Sequence, residues 1–306
     1  IEFDYRNVHI ITMGPPSSGG VILAEILNQI ELVDFTEVEF HSADHIHTLV
    51  EAARRAYSDR AHFLGDPDFV EMPIEQLISD AYAAQRWQDF SPLWATGSEE
   101  IKHGTIAYVQ ESEETTHFAV VDRWGNAVAV TTTINGSYGS GEVVAGAGFL
   151  LNNEMDDFSI KPGYPNKSGL TGGRANAIEP GKRMLSSMTP TIVTRNDSLL
   201  LLVGSPGGGK IITTVAQVIS NVVDFGLPIK NAVEAPRVHH QWLPNEIVSE
   251  PVGISAETRK RLNRMGHRIR YQEGYMGSAH SIMVDPETGW NFGAVDSRRE
   301  SGAAGY

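Results

Sequence analysis

The residues of this chain best placed to do chemistry lie in the stretch EETTHFAVVDRWGNAVAVTTTINGSYGSG, residues 113–141. Two adjacent threonines, Thr115 and Thr116, follow an acidic run, and three more, Thr131 to Thr133, return shortly afterwards. The runs HFAVV and AVAVTTT read as strands and DRWGN between them is turn chemistry, so the pair is expected to form a β-hairpin. Facing residue numbers should then sum to about 248 or 249, which sets Thr115 opposite Thr133 or Ile134 at the open end of the hairpin.

A threonine hydroxyl is a weak nucleophile unless a base lies beside it, and this chain has no cysteine and no G-x-S-x-G elbow to use instead. One solution needs no second residue. If the backbone is cut before Thr115, that residue gains an α-amino group with a pKa of about 7.7–8, able to take the hydroxyl proton near neutrality. Thr115 can make the cut itself by attacking the Glu114 carbonyl, forming an ester that water opens, and Thr133 can support its hydroxyl by hydrogen bonding. The plainer reading is that threonine is common in strands, and the pair taken alone favours it.

A second stretch, LLLLVGSPGGGKIITTVAQVI, carries the G-x-x-x-x-G-K spacing of a phosphate-binding loop between a strand and a helix. Two features count against nucleotide binding. Ile211 stands where a metal-ligating hydroxyl would be, and Pro206 removes one N–H from the cradle. The same geometry serves another purpose, because the N–H groups of Gly207 and Gly208 near a helix N-terminus can stabilise an oxyanion. The histidines His41, His45 and His47, and the adjacent pair His239 and His240, lack ligand spacing with a third partner and read as structural, so no metal and no cofactor are expected.

These groups need a scaffold, and the surrounding texture alternates strand and helix. NVHIITM runs through the turn GPPSSGG into VILAEILNQIELV, whose Ile22, Leu23, Ile26, Leu27 and Ile30 recur at helical spacing. HSADHIHTLVEAARRAYSDR predicts a second helix capped by Ser42, with Ile46, Leu49, Val50, Ala53 and Tyr57 on one face. Residues 60–114 read as aromatic and proline-containing loops ending in an exposed acidic connector suited to processing. TPTIVT and LLLLVGS read as strands and residues 210–225 as a helix. With 306 residues and 41% hydrophobic composition, an α/β unit of this size buries a large core. The net charge of −14, from 38 acidic against 24 basic residues, repels polyphosphate and excludes a nucleic-acid partner; no run reaches the length of a membrane span. The absence of cysteine excludes disulfides and thiolate catalysis and suits a periplasmic or secreted protein. The chain opens on the strand-like IEFDYRNVHI, so an upstream export signal is expected to have been removed or omitted.

TTHFAVVDRWGNAVAVTTTIN, LLNNEMDDFS, RMLSSMTPTIV and GSPGGGKIITTVAQVI follow one another in the order and spacing of the γ-glutamyltranspeptidases. These are members of the N-terminal-nucleophile hydrolase superfamily, and the resemblance extends over nearly the whole chain, including PPSSGG and APRVHHQWLPNE. It implies a four-layer αββα sandwich built jointly by a large-subunit-like segment, residues 1–114, and a small-subunit-like catalytic segment, residues 115–306. Thr115 takes the place of the threonine freed by autocleavage. Glu154 and Asp157 match acceptors of the substrate α-ammonium, with Asn135 beside them; Ser186 and Ser187 match the pair that bonds the α-carboxylate; Gly207 and Gly208 match the oxyanion hole.

The activity so implied is transfer of the γ-glutamyl group of glutathione, or of a related amide, to water or to an amino acid or peptide. A related acylase, acting on a cephalosporin or on poly-γ-glutamate, is the nearest alternative, and an uncleaved inactive fragment is another. Two departures from the family pattern stand out. The family's large subunit is considerably longer before the nucleophile, and an arginine that pairs the substrate α-carboxylate lies in that part. The remaining portion, or another copy of the chain, is therefore an expected partner. The lid-loop position that often carries an aromatic residue corresponds to Ser168, which would loosen closure and favour hydrolysis.

Overall fold

The computed structural model describes residues 1–101, 115–166 and 169–305. Strands β1 (Glu2–Tyr5) and β2 (Val8–Thr12) form an antiparallel hairpin, and helices α1 (Gly19–Glu31) and α2 (Ala43–Phe63) follow. Ser42 caps α2 as its position predicts, its Oγ accepting from the His45 N–H at 3.2 Å. The region read as loop contains two short helices, α3 (Ile74–Leu77) and α4 (Asp80–Arg86). Strands β3 (Thr116–Val121) and β4 (Ala127–Thr132) form the expected hairpin, and β5 (Thr191–Arg195) and β6 (Ser198–Gly204) form another. Helix α5 (Lys210–Val223) ends two residues short of its predicted limit.

Beyond it lie α6 (Ile229–Glu234), β7 (Val238–His239), β8 (Ile247–Ser249), α7 (Ala256–Arg264), β9 (Ile269–Tyr271), β10 (His280–Val284) and β11 (Asn291–Ala294). Strands of two or three residues such as β7, β8 and β9 are too short for a periodic signal.

Six strands form one antiparallel sheet in the order β1-β2-β5-β6-β10-β11. Because β2 pairs with β5 and β6 with β10, its centre joins residues far apart in the chain. Alternation divides the sheet. Val8, Ile10, Val193, Leu201 and Val203 enter the main core with the apolar residues of α1 and α5. The opposite face receives the β3–β4 hairpin, which contacts β5, β6 and β10. The hairpin's outward face shows Phe118, Val120 and Val128, each about half exposed, so the described residues supply three layers of the sandwich. A smaller sheet, β7-β8-β9, joins the first turns of α2 and Leu262 of α7 in a second core.

The segment expected to be an exposed connector is held firmly where it begins. Ser98 and Ile101 are buried, Ser98 Oγ donates to the Trp242 carbonyl at 2.6 Å, and Trp242 Nε1 donates back to the Ser98 carbonyl at 2.9 Å. Composition misleads here because a polar segment can be buried when its hydrogen bonds are met. The rest of that connector, including Glu114, lies outside the described residues.

The hairpin meets the sheet closely at Gly204. His117 packs its ring over Gly204, where an added Cβ would fall 2.3 Å from the imidazole. Gly204→Ala therefore forces the hairpin off the sheet. The substitution is expected to cost about 1–3 kcal/mol as overpacking, read as a fall of several degrees in Tm, while Gly302→Ala, where nothing lies near the added methyl, leaves Tm unchanged. Equal Tm values for the two variants would show that the contact does not hold the hairpin.

Candidate active site

The register of the hairpin decides the position of the threonines. Thr116 pairs with Thr132 and His117 with Thr131, so facing numbers sum to 248, one of the two registers expected. Thr115, one residue beyond the ladder, donates from Oγ1 to Thr133 Oγ1 at 3.2 Å. Thr133 Oγ1 also accepts from the Asn135 N–H at 2.8 Å. Asn135 adopts φ of +68°, a left-handed conformation that asparagine tolerates better than most residues. The resulting turn sends its amide Nδ2 to the Asn153 carbonyl at 3.1 Å, while Asn153 Oδ1 accepts from Gly136 N–H at 2.9 Å. The threonine end of the hairpin is thus tied to the segment carrying Glu154 and Asp157.

Those two acids begin and end a single 3-10 turn, Glu154–Asp157. Burial raises the Glu154 pKa above the ordinary carboxylate range, and its Oε1 is buried with no hydrogen-bond partner among the described residues. Burial also pushes Asp157 up to about 7, with the Glu154 charge adding to the effect and Arg60 opposing it. A pair of carboxyls this reluctant to ionise side by side is primed to receive a cation.

Thr115, Thr133, Asn135, Asp157, Ser186, Ser187 and Gly208 line one cleft together with Leu170, Leu185, Met188, Gly209 and Ile211. Glu154 and Gly207 are not on its wall but adjoin it through their neighbours Asp157 and Gly208. The serine segment is held from below by the PPSSGG loop: Ser186 N–H donates to the Pro16 carbonyl and Ser18 N–H to the Ser186 carbonyl, each at 2.9 Å. Ser17 Oγ donates to the Met188 carbonyl at 2.7 Å. Arg183, three residues earlier, is fixed by Asp66 at 2.5 Å. The loop therefore buttresses the site rather than lining it.

At the glycine loop, the carbonyls of Gly207 and Gly208 accept from the N–H groups of Lys210 and Ile211 and so begin α5. N–H groups that precede a helix have no acceptor within it. Gly207 and Gly208 stand at φ of +135° and +52°, conformations that glycine alone adopts without strain, and they aim the loop at the cleft. Tyr57 Oη donates to the Gly209 carbonyl and braces the loop from α2. Lys210 is buried, and burial, with Arg270 nearby, lowers its pKa to about 7, so the lysine of the phosphate-loop pattern is not presented to solvent as a cation.

The histidines read as structural behave variously. His239 meets Thr213 Oγ1 at 2.7 Å and Gln241 Oε1 at 2.8 Å, and His240 meets Arg54 at 3.2 Å, all inside the core. His47 gains neighbours that spacing does not reveal: with Glu51 and His267 it forms a buried group of metal-ligating types. Glu51, however, spends its oxygens on Arg54 at 2.9 Å, Arg55 at 2.6 Å and the Thr96 N–H at 3.2 Å, so a dication there would meet two guanidinium groups. Two contributors to the site were missed. Sequence pattern marks His117 only as part of a strand, yet its Nδ1 meets Thr131 Oγ1 at 2.8 Å and its burial holds it neutral, at a pKa of about 4. Arg60 lies under the serines on α2, three residues after Tyr57 and seven after Ala53, so helical spacing sets it on the same face as those two; its charge masks that signal. Ser168 lies outside the described residues.

Comparison with known proteins follows from this geometry. The glutathione hydrolase proenzyme of Escherichia coli (strain K12) is 48% identical over 307 residues, covering 100% of this chain and 52% of that protein. A mutant of Helicobacter pylori gamma-glutamyltranspeptidase superposes with a TM-score of 0.59 at 57% identity, over 60% of this chain and 100% of that one. Cephalosporin acylase from Bacillus halodurans gives a TM-score of 0.77 at 26% identity, over 97% of this chain and 51% of that one. The chain spans about half the length of the curated relatives it matches. Its fold is that of the N-terminal-nucleophile hydrolases, helices against antiparallel sheets. A sequence model described as Gamma-glutamyltranspeptidase matches residues 1–306, and the chain belongs to that family.

Proposed function

We propose that this chain carries the catalytic part of a γ-glutamyltransferase and glutathione hydrolase in which Thr115 is the nucleophile. The observation that carries the reading is the Thr115–Thr133 hydroxyl pair opening into the same cleft as Asp157, Ser186, Ser187 and Gly208. Thr115 Oγ1 first attacks the Glu114 carbonyl carbon; the peptide C–N bond breaks, and water opens the resulting ester to leave a free α-amino group. That amine then takes the hydroxyl proton while Oγ1 attacks the γ-carbonyl carbon of the substrate. The N–H groups of Gly207 and Gly208 hold the oxyanion, a service worth about 10²–10³ in rate per donor. The C–N bond breaks, the departing amine takes the proton, and a γ-glutamyl ester remains on Thr115. Water resolves it to glutamate, or an amino acid or peptide resolves it to a new γ-glutamyl amide.

Asn135, Glu154 and Asp157 receive the substrate α-ammonium and Ser186 and Ser187 its α-carboxylate. Two carboxylates give nothing to an acyl group without an ammonium, which favours γ-glutamyl substrates over the side chain of a cephalosporin. Residues 1–114 are the end of a large-subunit-like segment and residues 115–306 the small-subunit-like one; that β2 and β5 share a sheet supports their forming one unit. The partner is the remainder of the large-subunit-like part or a second copy. The cysteine-free composition suits a periplasmic or secreted location, and no helix among the described residues is long and apolar enough to cross a membrane.

Intact mass and turnover test the nucleophile together. The full-length protein is expected to appear as two chains cut before Thr115 and to release the chromophore of a γ-glutamyl anilide. Thr115→Ala is expected to stay whole and to lose activity by several orders of magnitude. A whole wild type, or an active Thr115→Ala, would end the reading.

Asp157 supplies a pH dependence. Its carboxyl is mostly neutral below about 7 and attracts the ammonium only once ionised, so affinity rises with pH. The inhibition constant of L-glutamate is expected to improve about tenfold from pH 6 to pH 8, and Asp157→Asn to bind it weakly with a flat profile. The stability sign is opposite: the unfolded chain ionises at lower pH, so the unliganded protein loses stability as pH climbs from the ordinary carboxylate range towards 7. An inhibition constant that ignores pH in the wild type would remove Asp157 from the ammonium site.

A further inference from the structure

The four arginines buried in the described residues are Arg54, Arg55, Arg60 and Arg237. Three of them meet a carboxylate directly: Arg54 and Arg55 bind Glu51, and Arg237 binds Asp296 at 2.6 Å. Arg60, 4% exposed, is in no ion pair among the described residues. Its Nε donates to Ser18 Oγ at 2.9 Å and its Nη2 to Ser187 Oγ at 3.1 Å. A buried cation held only by hydroxyls is costly unless a further charge completes it. The acid whose charge it feels is Asp157, across the cleft wall, and that group is itself held towards neutrality by burial and by Glu154.

The direction of the bonds matters. A guanidinium has only donors, so both serine oxygens must accept from it. Ser18 then spends its own hydrogen on the Ser186 carbonyl at 2.7 Å. Ser187, on the cleft wall, has its lone pair occupied from behind and its hydrogen left to point forward. An incoming anion meets a hydroxyl already oriented to donate, backed by a guanidinium one bond further away.

We propose that Arg60 is a positioning residue that sets Ser187 as a donor to the substrate α-carboxylate and makes the site selective for acyl groups that carry one. This rests on the γ-glutamyl reading above and adds to it a charge that acts through a serine without touching the substrate. The proposal separates Arg60 from a merely structural role, because a structural defect would lower activity on every substrate alike.

The test compares γ-glutamyl-p-nitroanilide with 4-aminobutyryl-p-nitroanilide, which differs only in lacking the α-carboxylate, using the complete processed protein. Arg60→Gln is expected to lower kcat/KM for the γ-glutamyl anilide by about 10–100-fold, chiefly through KM, the range for a lost charge-assisted hydrogen bond. Activity on the 4-aminobutyryl anilide is expected to change by less than about threefold, so the selectivity ratio collapses. Arg60→Lys keeps the charge but cannot hold both serines, and retains part of the ratio. Where Arg60→Gln does not fold, Arg60→Lys alone decides by the same ratio. An unchanged ratio, or a parallel loss on both anilides, overturns the proposal while leaving the γ-glutamyl reading in place. A wild type inactive on the γ-glutamyl anilide overturns both.

Discussion

The site depends on how a two-stranded hairpin is seated on a sheet. Thr115 lies at the free end of β3, so its position follows from the docking of that strand, and the docking is set by His117 against Gly204. A side chain on residue 204 would occupy the space of the imidazole, and a charged imidazole could not be buried there at low cost. The absence of a Cβ and the neutrality of His117 are therefore linked requirements. Given both, the antiparallel register carries Thr115 to Thr133 without further adjustment, because a slip by one residue would turn every side chain to the other face.

Around this contact the polar groups are arranged in depth. Helix α2 buries Glu51, Arg54, Arg55, Asp59 and Arg60 as well as its apolar residues, and these charges do different things along its length. Near its middle, Glu51 and two arginines neutralise one another inside the core, an arrangement that ties the helix to the Thr96 segment more than it stabilises the fold. One to two turns later, Tyr57 braces the glycine loop and Arg60 braces the serine segment. One helix thus supports both the glycine loop and the serine segment of the cleft.

The cleft itself is electrostatically divided. On one side, burial makes both Glu154 and Asp157 resist ionisation, and the Glu154 charge adds to the effect on Asp157. On the other, serine hydroxyls and glycine N–H groups present donors, with the Arg60 guanidinium behind them. A zwitterion satisfies both sides at once, whereas a simple cation or anion satisfies only one. The two sides are held by different elements, the 3-10 turn after β4 and the segment before β5, so their separation is a property of the fold.

Much of this was legible in the residues alone. The hairpin followed from alternation and turn chemistry, and its register from counting; the helices α1, α2 and α5 followed from periodicity and, for α2, from the Ser42 cap. Thr115, Thr133, Asn135, Asp157, Ser186, Ser187 and Gly208, scattered along the sequence, line one cleft. What the sequence could not decide were the features set by contacts between distant segments. Arg60's charge marks it for solvent, yet it falls on the inward face of α2 and its bonds to Ser18 and Ser187 are made in the interior; polarity marks residues 95–101 as exposed, yet Ser98 is buried through its hydrogen bonds with Trp242. The grouping of His47 with His267, the short strands of the second sheet and the raised pKa of Asp157 are of the same kind. Local pattern reports which face of an element is apolar; only the tertiary structure decides which polar groups are brought together out of water, because desolvation depends on neighbours far away in the chain.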